Sequence, residues 1–351
     1  MTEVRDQKSE IGKSGQTAMN KKIILLALCS LLLAPCSAVE AQQTTKVFRI
    51  GLLDGTSASG TAVLVDAFRQ ELNKLGWIEG KNIIIEYRFA EQKRDRLPEL
   101  AAELVRLKVD LIVATTGPTA ATAKRATTTI PIVITTSVDP VGEGLVASLA
   151  RPGGNVTGLS ALAVEVNTKR LEILKDAVPK LARVGILLPS GRQPTEGGTG
   201  ATDLQLKELR PAALALKLIL EEIETSANGF ESAFQIAKQR RVGAITMTAS
   251  RSFFAERMRI AELAAKHRLP AIYPQKEFVD EGGLMFYGAD FADLFRRSAS
   301  YVDKILKGAK PADLPVQQAT KFEFVINLKA AKQIGLTIPV RVLERANKVI
   351  K

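Results

Sequence analysis

The chain has 351 residues, 46% of them hydrophobic and 25% charged, an ordinary profile for a soluble globular protein. Its formal net charge of +12 raises the question of nucleic acid. Lys and Arg are scattered among acids, with no dense basic run and no aromatic interleaving for base stacking. The charge therefore reads as a basic surface, and no nucleic-acid partner is expected.

Residues 1–41 read as a targeting segment. Lys21-Lys22 form a positive n-region and Ile23 to Leu33 a short apolar run. Val39 and Ala41 are the small residues that a signal peptidase reads, so cleavage before Gln42 and a periplasmic destination are expected. The polar stretch before Met19 is foreign to a signal, and Met19 is the preferred start. Pro35 ends the apolar run well short of the ~20 residues a membrane anchor needs. Both cysteines, Cys29 and Cys36, lie in this segment, so the mature chain offers no disulfide, thiol catalyst or Cys-ligated metal. Lipidation at Cys36 is disfavoured by Pro35, which stands where a small residue is wanted.

About 310 residues remain, more than one core usually holds, so two lobes are expected. Apolar runs of strand length alternate with longer helical patterns, which predicts an α/β fold with parallel sheets. Val47-Phe-Arg-Ile-Gly-Leu-Leu53 is the first strand. Leu64, Phe68, Leu72 and Leu75 then share one helical face, with Gly76 as the stop. Asn82–Phe89 is a second strand, Leu97, Leu100, Leu104 and Leu107 stripe the next helix, and Asp110–Thr115 is a third strand. Thr116-Gly117-Pro118 reads as a helix start, because proline suits the first helical position. Pro211 is expected to kink or break the helical stretch around Leu204–Leu216. Lys321–Ile326 and two short helical patterns close the chain.

The pattern is doubled. Val47–Leu53 is echoed by Ala182-Arg-Val-Gly-Ile-Leu-Leu188. Val109–Thr115 is echoed by Val242–Thr248, and the proline-led Ile130–Thr135 by Leu269–Tyr273. Two similar lobes predict a cleft between them, where small ligands bind. In parallel sheets the ligand sits beyond the carboxyl ends of the strands. That rule selects Thr56 and Ser57, Thr115, Thr116 and Gly117, Ser137 and Asp139, Ser190, Thr248 and Tyr273 as candidate ligand-binding residues. Thr116 and Gly117 would offer helix N–H groups to a carboxylate, or Thr116 simply caps its own helix. Asp139 pairs with a ligand ammonium or starts an Asp-Pro turn. Tyr273 either covers an apolar part of the ligand or belongs to the core.

No catalytic residues, cofactor or metal are expected. His267 is the only histidine and stands at a helix end, without Cys or clustered acids around it in sequence. There is no Gly-x-Ser-x-Gly elbow, no Walker A loop and no Gly-x-Gly-x-x-Gly after a strand. Gly197-Gly-Thr-Gly200 lacks the following Lys-Ser/Thr and reads as a flexible loop.

The stretch Ser137-Val-Asp-Pro-Val-Gly-Glu-Gly-Leu-Val-Ala-Ser-Leu-Ala-Arg-Pro-Gly-Gly-Asn-Val-Thr-Gly-Leu-Ser160 resembles the signature of the TrpX-like ABC-transporter substrate-binding protein family. So do Phe68–Leu72 with Leu75–Gly80, Gly282–Gly288, Tyr301–Gln317 and Lys321–Asn327, and together they span nearly the whole mature chain. The resemblance implies a type I periplasmic-binding-protein architecture: two Rossmann-like lobes, crossed near Gly158, Gly283 and Leu314. Lobe 1 would be residues 42–157 with about 284–313, and lobe 2 residues 158–283 with about 314–351. It also implies a monomer that binds a small solute, an amino acid or related carboxylate, by hinge closure and delivers it to the permease subunits of an ABC importer. A periplasmic ligand-sensing module of a signalling system, built on the same fold, is the alternative.

Overall fold

In a computed structural model that describes residues 46–190, 200–226 and 228–351, the apolar runs form thirteen strands. The expected targeting segment, its expected cleavage point and most of the Gly197–Gly200 loop lie outside the described residues. The first strands are β1 (Phe48–Asp54), β2 (Ile83–Phe89), β3 (Leu111–Ala114), β4 (Ile132–Ser137) and β5 (Val156–Ser160). Next come β6 (Arg183–Pro189), β7 (Ile219–Thr225), β8 (Ala244–Met247), β9 (Ile272–Tyr273) and β10 (Met285–Ala289). The last are β11 (Gln317–Gln318), β12 (Phe322–Asn327) and β13 (Lys348–Ile350).

One sheet is all-parallel and runs β11-β5-β4-β3-β1-β2. The second group begins with parallel β7-β6-β8, which a bridge from Ile245 to Ala271 joins to β9 and β10. Beyond β10, β12 is antiparallel and β13 parallel to β12. The order β2-β1-β3-β4-β5 is thus repeated as β7-β6-β8-β9-β10. The matched sequence motifs fall on β1 and β6, on β3 and β8, and on β4 and β9, so the doubled sequence is a doubled topology.

β3, β4, β5 and β8 are buried at every position, as strands covered by helices on both faces must be. The Ala58–Lys74 helix turns Leu64, Phe68 and Leu72 inward, and Gly76 follows with φ +90°, the left-handed residue that ends a helix. The Leu97–Arg106 helix buries Leu97, Leu100 and Leu104. Pro211 does not break the Ala201–Ala215 helix, which is continuous through it. Pro211 and Lys207 are both exposed, so the carbonyl that loses its N–H partner can turn to water.

The chain passes between the two groups of strands three times. After β10 it returns to the first sheet, where the Phe291–Leu306 helix packs on Ala58–Lys74 and Asp303 accepts a 2.9 Å hydrogen bond from the Trp77 indole. By strand pairing the passages come after Ser160, Ala289 and Gln318, a few residues beyond the expected Gly158, Gly283 and Leu314.

Candidate functional site at the carboxyl ends of the strands

A cavity of about 660 Å³ opens where the strands end. Its walls come from the segments after β1 (Gly55, Thr56), β2 (Gln92 to Pro98), β3 (Thr116 to Thr119), β4 (Val138) and β5 (Ala161). They also come from the segments after β6 (Gly200 to Asp203), β8 (Ala249 to Ser252), β9 (Gln275) and β10 (Phe291), so both groups of strands contribute. The volume lies within the ~300–1,000 Å³ usual for small-molecule sites.

Of the residues picked from the sequence, Thr56, Thr116, Gly117 and Ser137 line this cavity. The Thr56 hydroxyl donates to Asp54 Oδ1 at 2.7 Å and keeps lone pairs to accept with. Thr116 caps the Gly117–Ala126 helix in a reciprocal box with Thr119, so its capping role and its place on the wall coexist.

The other six are placed elsewhere. Thr115 is fully buried, its hydroxyl directed at the Leu53 carbonyl, while Thr135 and Thr136 donate to the Thr115 carbonyl at 2.9 and 2.8 Å. These hydroxyls tie adjacent strand ends together. Ser57 caps the Ala58–Lys74 helix by accepting from the Gly60 N–H. Asp139 Oδ1 accepts from the N–H groups of Val141 and Gly142, so its carboxylate serves its own turn. Ser190 is exposed on the loop after β6, and Thr248 is buried behind the Ala249 wall. Tyr273 is core: its ring stacks on Phe278 at 4.8 Å. His267 ends the Arg257–Lys266 helix and stacks on Phe234.

The helix start at Gly117 already faces an acid of the chain itself. A Cβ on Gly117 would lie 1.9 Å from Glu143 Oε2, so glycine is needed for this carboxyl to pack there. Oε2 accepts from Ser137 Oγ at 2.6 Å, while Oε1 is buried without a partner. Burial pushes the Glu143 carboxyl up to about 7; the Asp139 charge adds to the rise and the Ser137 hydroxyl opposes it. Of the first helical N–H groups, Pro118 has none and that of Thr119 is taken by Thr116.

Sequence reasoning missed the strongest charge on the wall. Arg251 is 8% exposed, and its Nε and Nη1 are buried without an acceptor. Its guanidinium lies over the rings of Phe254 (5.1 Å), Phe295 (5.3 Å) and Phe291 (5.9 Å). Burial lowers its pKa and the charges of Asp54 and Glu277 raise it, yet neither acid forms an ion pair with it. Two acceptors on the cavity lining are also unmet, Gln275 Oε1 beyond β9 and, on the facing side beyond β2, Gln92 Oε1, whose amide donates across to Glu256 at 3.2 Å. A signal for Arg251 existed: it opens a helix directly after the Thr248–Ser250 loop, where the dipole disfavours a cation. A cation held there needs a reason.

Buried donors and acceptors left open on one cavity are what a small charged solute would satisfy. Comparison with known proteins agrees in kind. The sequence model of a family described as "ABC transporter substrate binding protein" matches residues 50–350. A tyrosine-binding protein of Clostridioides difficile is 26% identical over 272 residues, covering 77% of this chain and 75% of that one. Among solved structures, a conserved domain protein from Vibrio cholerae superposes with TM-score 0.78 at 28% identity, covering 87% of this chain and all of that one. A Streptococcus pneumoniae ABC domain in complex with L-Trp gives TM-score 0.76 at 26% identity, covering 86% of this chain and 99% of that one. The chain belongs to the ABC transporter substrate-binding protein family, with two Rossmann-like lobes in the type I periplasmic-binding architecture.

Proposed function

We propose that the protein is the solute-binding component of an ABC importer and holds a small carboxylate-bearing solute, of the amino-acid class, without altering it. The observation that carries this reading is Arg251: a buried guanidinium with two unmet donors on a cavity wall. A carboxylate is the planar acceptor that such a fork takes best. Gln92 and Gln275, each with an open acceptor, suit a ligand ammonium, and Thr56, Thr116, Gly117 and Ser137 complete the polar wall. Tyrosine and tryptophan named for the relatives are ligands of this kind.

In this reading lobe 1 comprises residues 47–160 with about 290–319, and lobe 2 comprises 161–289 with about 320–351. The solute sits between them. Contacts to both lobes favour the closed form, which the permease subunits recognise. The protein works as a monomer in the periplasm after loss of its signal, and intact mass of the exported protein should start at Gln42.

Titration calorimetry against amino acids and related carboxylates tests the reading. Arg251→Gln should cost about 3 kcal/mol, more than a hundredfold in Kd, with the fold retained. Unchanged affinity in that variant would remove Arg251 from the site. Conversion of a bound solute would replace the binding role by catalysis.

A further inference from the structure

Among the described residues, three guanidinium groups line the cavity: Arg94, Arg125 and Arg251. None forms an ion pair among the described residues. Arg251 comes from the wall beyond β8; Arg94 and Arg125 come from the opposite one. Arg94 stands in the short turn before the Leu97–Arg106 helix, which packs against the Gly117–Ala126 helix that carries Arg125. Arg125 Nη2 donates to Thr122 Oγ1 at 3.2 Å, and that hydroxyl donates to the Pro118 carbonyl at 3.0 Å, which steadies the guanidinium beside the cavity.

Two acids share the lining, Asp95 and Asp203, and Asp203 already has a partner. Against Asp95 and Asp203 the three guanidiniums leave an excess of one positive charge, and none of the three is ion-paired to either acid. A monocarboxylate on Arg251 would meet only one of the guanidiniums. Among the described residues, Phe291 is the single aromatic side chain of the lining, so little of it is shaped to cover a flat ring on both faces.

Resting on the reading of this cavity as the solute site, we propose that the solute carries two carboxylates. One binds Arg251, and the second bridges to Arg94 and Arg125 on the facing wall. The ligand class is a short dicarboxylate or an acidic amino acid. Opposed positive groups on the two walls would then be drawn together by the ligand they share, which couples binding to closure.

Isosteric pairs isolate the second charge. Calorimetry on the mature chain would compare glutamate with glutamine, aspartate with asparagine, and succinate with succinamate. Arg94 and Arg125 are both exposed, so the diacid of a pair should bind about fivefold more tightly, as expected for a solvent-screened charge pair. Arg94→Gln with Arg125→Gln should abolish that preference and leave the Kd of the monoamide within about twofold. Both arginines are free of ion pairs, so these variants should keep the wild-type Tm. Equal binding of diacid and monoamide would overturn the second-carboxylate proposal while leaving the carboxylate site standing. Binding of no carboxylate at all would overturn both.

Discussion

Replacing Glu143 by Gln keeps the shape of the side chain and an acceptor for Ser137 Oγ, and removes only the titration. In the folded chain the carboxyl sits at about 7 against an ordinary 4.5. At about 1.4 kcal/mol per pKa unit this difference is worth about 3 kcal/mol. The folded state therefore holds a proton that the unfolded state releases between those values. The stability this proton gives is fully present below about pH 4.5 and is lost as pH rises through about 7. Thermal unfolding at pH 5 and pH 8 measures it. Other groups titrate alike in both proteins, so the wild type should lose about 4 °C of Tm more than Glu143→Gln between these two values. Parallel pH profiles would refute the reasoning, because the buried Oε1 would then have to be solvated in a way the geometry does not provide.

Gly117→Ala should destabilise by about 2–3 kcal/mol, because its Cβ would displace the Glu143 carboxyl; in a Glu143→Ala background the cost should shrink, and simple additivity in that cycle would be the contrary result. A Cβ on Gly60 would lie 2.7 Å from that of Ala255, where the Ala58–Lys74 and Arg251–Ala255 helices touch. Gly60→Val should wedge these helices apart and weaken solute binding at least about tenfold, at a Tm near wild type; unchanged affinity by calorimetry would speak against closure across this contact. Asp139→Ala should cost about 1 kcal/mol of stability through its lost turn hydrogen bonds and leave Kd unaltered, whereas a large rise in Kd would place its carboxylate on the ligand.

The architecture was legible because it rests on local signals. The strand motifs at Val47–Leu53 and Ala182–Leu188 lie at equivalent places in two sheets of the same order, and Thr116-Gly-Pro118 marks a helix start to the residue. The site was legible only in outline, since strand-end loops do form the cavity but which hydroxyls face it depends on partners distant in sequence. Thr115 is consumed by the Leu53 carbonyl, a neighbour on the next strand and 62 positions away. Arg251 reads in sequence as one more scattered cation; only packing shows three phenylalanine rings under it and two donors unmet. Glu143 hides in a signature loop as an unremarkable acid until Gly117 is seen to lie against it.

A crystal structure of the mature protein with the tightest-binding carboxylate from the calorimetric panel tests the central claim most directly. The account predicts an intact solute in the cavity, its carboxylate within about 3 Å of Arg251 Nε or Nη1. Solute bound at another surface, or in the cavity with Arg251 still unpaired, would contradict it.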